Sequence, residues 1–277
     1  MPEEDPTSSR SKAINEYPMT VTLFGPLRPA DDLNRRTERV IKAHTNEQDH
    51  FTDITLLDGR QAGGMVVQYS VKALSPKSAL RVGLVYLSQL CDLLSAVTQC
   101  PVTFYTTDDE AREERGRQHR QPMRVDRTLT AEEWLWVTGS LVAIRREHPR
   151  FLAAASWYRK GLIGNDCLDD FCCFWRVIER IAESYADKTN WSETDRGVRK
   201  RVAQLTTDLF EAGETPNLLK DAARVKRVID MRNDISHGNV PISMDMIDTA
   251  SEELEALEAA AFAVLDRMRR TKLAFDV

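Results

Sequence analysis

At 277 residues and 31.5 kDa the chain has room for one large domain or two modest ones, either of which can bury a substantial core. Hydrophobic residues at 42% and charged residues at 29% exclude wholesale disorder and a fibrous chain. A formal net charge of −5 excludes a protein that coats nucleic acid by bulk electrostatics, because such binding needs many cation contacts to phosphate; recognition of nucleic acid would have to come from local patches.

Residues 1–16 read as a flexible tail, since Met1 to Lys12 carry Pro, Ser and charge without the apolar stretch of a secretory signal. No later apolar run reaches the roughly 18 uncharged residues of a membrane span, so the expected compartment is the cytoplasm, with no membrane partner. The cysteines fall at 91, 100, 167, 172 and 173, an odd number with no C-x2-C pair. That spacing argues against a disulfide framework or a cysteine zinc site and reads as reduced, mostly buried thiols.

Residues 17–106 predict a small α+β domain. Thr20 to Phe24, Phe51 to Leu57 and Met65 to Val71 read as strands, the last beyond the turn signals Asp58-Gly59 and Gly63-Gly64. Asp31 to Ala43 reads as a short amphipathic helix. A long helix opens at Ser75-Pro76 and runs to about Thr98 through Leu80, Leu84, Leu87, Leu90, Leu94 and Val97. Val102 to Tyr105 returns to strand. Residues 107–129 are polar and arginine-rich and read as a loop or linker at the domain boundary.

From 130 to 277 every segment reads as helix, so the fold class is mainly α: a small α+β domain followed by an all-α bundle. Thr130 caps the first helix, with Glu132 and Glu133 where the dipole favours acids. Pro149 opens the second, to Lys160, and Gly161, Gly164 and Asn165 break the chain. Asp166 starts a third through Phe171, Phe174, Trp175, Ile178 and Ile181, whose spacing marks them as core. Further helices run from about Ser192 to Phe210, Pro216 to Ser236 and Ser243 to about Thr271.

Two basic patches stand out. Arg112, Arg115, Arg117, Arg120, Arg124 and Arg127 crowd the linker and are the candidate RNA-binding residues; the second patch holds Arg196, Arg199, Lys200 and Arg201, with Arg224, Lys226, Arg227 and Arg232 on the next helix. Either can equally be a solvated face. His44, Glu47, Asp49 and His50 are metal-ligand types, but their spacing matches no common zinc site, and no metal is expected. Nucleophile-elbow, phosphate-loop and dinucleotide fingerprints are all missing, so no cofactor is expected.

The string Arg232-Asn233-Asp234-Ile235-Ser236-His237 closes the fifth helix, with Gly238 fit to end it and Pro241 forbidding resumption. A basic helix end explains it, and so does catalysis. Residues five apart on a straight helix point about 140° apart, so Arg232 and His237 meet only if the helix breaks near Ser236, or if a second copy faces the first.

Arginine followed by asparagine, then histidine a few residues on, late in a bundle helix, resembles the motif of HEPN domains. Trp157-Tyr158-Arg159-Lys160-Gly161-Leu162 and the stretch Phe171 to Glu179 are similar to the Apea-like HEPN branch and to methylamine-utilisation accessory proteins, over roughly residues 130 to 270. The resemblance implies a HEPN-type bundle and a metal-independent endoribonuclease that works as a homodimer or higher homo-oligomer, with two motifs lining one cleft. HEPN toxins paired with nucleotidyltransferase antitoxins carry a tyrosine two residues after the histidine; here Asn239 stands there, so control falls to the N-terminal domain, a regulatory protein partner or oligomeric state.

The residue types suit the chemistry. Attack of an RNA 2′-hydroxyl on the neighbouring phosphorus needs a proton acceptor, a proton donor and stabilisation of added negative charge. Histidine, with an unperturbed pKa of about 6.5, serves the proton transfers, and arginine holds phosphate oxygens bidentately. On this expectation His237 is general acid or base, Arg232 the phosphate clamp, and Asn233 orients the nucleophile or the histidine. Glu179 either supports the arginine or faces solvent. The expected function is an RNA-cleaving toxin or antiphage effector; the alternative is a non-catalytic module that dimerises through the bundle and binds a partner.

Overall fold

The computed structural model describes residues 14–30, 33, 36–42, 50–59, 64–105, 110, 113, 127–189, 191, 197–211 and 213–273. Within them the protein is mostly helical, with a small antiparallel sheet.

The sheet is built from β1 (Asn15–Phe24), β3 (Arg36–Lys42), β4 (His50–Gly59), β5 (Gly64–Ala73) and β6 (Thr103–Phe104), in the order β3-β4-β5-β1-β6. Met65, Val67, Tyr69, Val71 and Ala73 of β5 all face inward, the period-two pattern of a strand covered on one side. The helix α1 (Pro76–Thr98) packs on that sheet; Ser75 caps it by accepting from the Ser78 N–H at 3.2 Å. By length and composition α1 is apolar enough to cross a bilayer, but most of it is buried inside the fold.

The helix expected over Asp31 to Ala43 is corrected to strand: Arg36–Lys42 pairs antiparallel with β4, from Arg36 opposite Thr55 to Lys42 opposite His50. Thr37, Val40 and Ile41 are β-branched and suit a strand. A short isolated helix gains too little to compete with a ladder that satisfies the edge of β4. The linker's end is also structured. As β7, Arg127–Leu129 pairs in parallel with β2 (Leu27–Pro29), and the Arg127 N–H donates to the Pro26 carbonyl at 2.8 Å.

Among the described residues the helices that follow from Leu129 on are α2 (Ala131–Glu147), α3 (Pro149–Ile163), α4 (Cys167–Tyr185), α5 (Val198–Leu209), α6 (Asn217–Lys220), α7 (Ala222–His237) and α8 (Met244–Thr271). Their starts follow side-chain chemistry. Thr130 and Glu133 form a reciprocal capping box on α2, Asp166 accepts from the Leu168 and Asp169 N–H groups, and Ser243 caps α8. Three expected boundaries move. The helix expected from about Ser192 begins at Val198, after an extended Gly197, and Ser192 itself lies outside the described residues. Gly161 lies inside α3, where a Cβ would stand 2.7 Å from the Phe174 ring, so its role is close packing and the helix continues to Ile163. The helix expected from Pro216 to Ser236 is two, because Asp221 turns extended and caps α7 by accepting from Ala223 and Arg224.

The central helix is α4. Phe171, Phe174, Trp175, Ile178 and Ile181 are buried, and α3, α5, α7 and α8 all pack around it. Because α1 touches α2, α3 and α8 as well as the sheet, one apolar core runs through both parts of the chain. Across the α1–α3 contact Arg159 Nε donates to Asp92 Oδ1 at 2.6 Å, with both side chains nearly out of water. Burial raises the Asp92 pKa even though Arg159 pulls it down, so the carboxylate depends on its partner.

Removing that partner leaves a buried charge unpaired. Arg159→Leu should cost about 3–5 kcal/mol in chemical denaturation. The double variant Arg159→Leu/Asp92→Leu should recover much of the loss; a double variant no more stable than the single would show that the pair does not act as a unit.

Candidate functional site

Below its buried stripe α4 carries a polar one. Cys172, Arg176, Glu179 and Glu183 recur at steps of four, three and four, which places them along one line of the helix. The facing walls are α3, with Trp157 and Lys160, and the last turns of α7. Trp157, Arg176, Glu179, Arg180, Glu183 and Arg232 enclose a cleft of about 130 Å³. Beyond Trp157 and Arg176, which border both spaces, a hollow of about 510 Å³ extends to Asp166, Asp169, Asp170, Ile235 and Ser236. Together they form one groove.

Arg232 is the best organised group in it. Its Nη2 donates to Glu179 Oε2 at 2.6 Å and its Nη1 to Asn233 Oδ1 at 3.0 Å, while Nε is buried with no hydrogen-bond partner among the described residues. Glu179 therefore lies against the arginine, not on the solvent side. The Arg232 side chain keeps 19% of its exposure and that of Glu179 22%, so the guanidinium is oriented yet reachable from the groove.

His237 is elsewhere. The helix does not break near Ser236: α7 runs through His237, and Gly238 ends it at φ 61°, donating to the Asp234 carbonyl, to which the Asn239 N–H also donates at 3.2 Å. On this straight helix His237 stands roughly 7.5 Å further along the axis than Arg232 and about 140° around it. Both Ser236 and His237 are exposed. Within one chain the structure brings Arg232, Asn233 and Glu179 together and leaves His237 apart. The segment that follows is apolar and uncovered, with Val240 44%, Ile242 70% and Met244 69% exposed.

Of the candidate RNA-binding arginines, Arg112, Arg115, Arg117, Arg120 and Arg124 lie outside the described residues. Arg127 holds Glu133 by two hydrogen bonds at 2.5 and 3.1 Å and so joins β7 to the start of α2. His44, Glu47 and Asp49 also lie outside the described residues, as does the side chain of His50; among the described ones no three His, Cys, Asp or Glu groups converge as metal ligands.

Sequence reading missed several groove residues. Trp157 carries two cations on its ring, Lys160 Nζ at 4.3 Å and the Arg176 guanidinium at 4.4 Å from the centroid. The Trp157–Lys160 spacing is visible in sequence, but Arg176 joins from another helix. The Asp166, Asp169 and Asp170 run was visible too. Asp170 is pushed up to about 6 by burial first and by its acidic neighbours Asp166 and Asp169 second. Cys172 sits 3.7 Å from Ser236 Oγ, and burial raises both its thiol and that of Cys173, the latter to about 11, so neither is poised as a thiolate nucleophile.

Comparison of the chain with protein-family models, curated proteins and solved structures gave no match.

The Asp170 shift predicts a pH signature. A folded-state pKa raised from 3.8 to about 6 means that this group's contribution is fully present below about 3.8 and is lost as pH rises through about 6. Asp170→Asn should therefore raise the melting temperature relative to wild type above pH about 6 and give no advantage below about 3.8. An equal gain at both pH values would mean that the carboxylate is not strained.

Proposed function

We propose that helices α2 to α8 form a HEPN-type bundle and that the protein is an endoribonuclease that uses Arg232, Asn233 and His237 without a metal. The observation that carries this reading is the placement of Arg232: a guanidinium oriented by Glu179 and Asn233 at the wall of a groove, its side chain still part-exposed. An arginine used only to close an ion pair has no need of that access. One held by its outer nitrogens and open at the groove is ready for phosphate oxygens.

On this reading His237 takes the proton of the 2′-hydroxyl or gives one to the departing 5′-oxygen, and solvent water serves the other transfer. The new bond joins O2′ to phosphorus, the bond to O5′ breaks, and the products carry a 2′,3′-cyclic phosphate and a 5′-hydroxyl. Arg232 holds the phosphate as charge builds, and Glu179 positions Arg232. Because His237 diverges from Arg232 on one helix, the working site combines Arg232 of one copy with His237 of a second. The exposed Val240, Ile242 and Met244 beside the motif offer apolar area for that contact. An effector of this kind fits a toxin or antiphage role, with the N-terminal sheet and α1 or a protein partner restraining it. The same apolar segment favours a second reading, in which the bundle only dimerises and binds a partner.

Incubation of the purified protein with single-stranded and structured RNA in excess chelator separates the two. Wild type should yield cyclic phosphate ends, and Arg232→Ala and His237→Ala should each lower the rate by about 100-fold or more. Cleavage that survives in both variants, or none in wild type, would remove the nuclease reading.

A further inference from the structure

The groove that holds Arg232 is larger than a phosphate needs, and its two ends differ in chemistry. Around the smaller cleft lie Arg176, Arg180 and Arg232, and its acids are engaged: Glu179 by Arg232, and Glu183 by Arg180 at 3.4 Å and Arg201 at 3.8 Å. The larger hollow has the opposite character, with Asp166, Asp169 and Asp170 on its wall. Of these, Asp166 already accepts two backbone N–H groups at the start of α4, and Asp170 is tucked against Gly164 so closely that a Cβ there would overlap it. Phosphate is repelled from that wall, whereas a donor edge is welcomed. Between the two ends lies the indole of Trp157, part-exposed and bordering both spaces.

We infer that the groove binds an unpaired nucleotide of single-stranded RNA: the base stacks on Trp157, its exocyclic amine points at Asp169 and Asp170, and its phosphate lies over Arg176 and Arg232. A flat indole flanked by cations is the combination that holds unstacked bases. Lys160, exposed and on a flexible stem, yields its place on the ring to the base, while Arg176 stays. Carboxylates accept from the amines of adenine, cytosine and guanine. Uracil has no exocyclic amine and turns carbonyl oxygens toward the acids, so it is disfavoured. The choice of RNA as the strand rests on the nuclease reading above; the stacking site does not.

Fluorescence anisotropy with labelled single-stranded homo-oligomers of A, C and U, measured on the full chain carrying His237→Ala so that the strand stays intact, tests the inference. Binding of A and C should exceed that of U, and Trp157→Ala should weaken A and C roughly tenfold or more. Trp157→Phe, which keeps a stacking ring, should retain most of the affinity and guards against a loss caused by misfolding. Asp170→Asn should narrow the preference over U. Equal binding by Trp157→Ala and its parent, or no binding by the parent, overturns the inference. If wild type cleaves RNA while Trp157→Ala binds normally, the stacking site falls and the nuclease stands. If binding depends on Trp157 and wild type never cleaves, the nuclease falls and the site stands.

Discussion

The constraint from which the rest follows is the division of α4 into a buried stripe and a polar one. Phe171, Phe174, Trp175, Ile178 and Ile181 fix the helix among four others, and each such side chain out of water contributes about 1.5–3 kcal/mol. With the helix pinned in rotation, Cys172, Arg176, Glu179 and Glu183 have nowhere to go but the groove between α3 and α7. Glu179 meets Arg232 because the core holds α4 at that angle. The ion pair is a result of packing first and an element of the site second.

α3 is shared between this groove and the N-terminal part of the chain. Arg159 reaches from it to Asp92 of α1, while Trp157 and Lys160, two residues before and one after, border the groove. Since α1 also supports the sheet, the groove wall, the buried ion pair and the sheet belong to one packed body, not to a bundle with an independent appendage. A restraint by the N-terminal part, as proposed, would need no moving linker; displacement of α1 would already reach Trp157.

Where a helix had a strong periodic pattern and a legible cap, sequence placed it within a residue or so. Ser75 and Thr130 cap where the pattern puts a cap, and Asp166 and Ser243, legible as helix starts, are N-caps too. The failures have physical causes. Arg36–Lys42 is too short for periodicity to tell strand from helix, and its partner β4 decided. The split at Asp221 came from a capping side chain inside an unbroken pattern, and Gly161 read as a breaker because its neighbour Phe174 is invisible from sequence. At the site, Arg232, Asn233 and Glu179 were legible as a motif and an upstream acid. That Arg176 would stack on Trp157, or that Asp170 would be pressed against Gly164, depends on how helices cross, which one chain's pattern does not encode.

The continuous helix through His237 is what shapes the functional account. On the proposed nuclease reading, a motif that converged on itself would serve a self-sufficient monomer, whereas one whose arginine and histidine point apart would be a half-site. Mixing two inactive proteins tests this directly. In a two-fold dimer of Arg232→Ala with His237→Ala, one of the two composite sites keeps an intact arginine and an intact histidine. The account predicts that RNA cleavage, negligible in either variant alone, returns on mixing and refolding them together, toward roughly a quarter of the wild-type rate if chains pair at random. Mixtures that stay as inactive as their parents, although heterodimers form, would contradict a site made from Arg232 of one copy and His237 of the other.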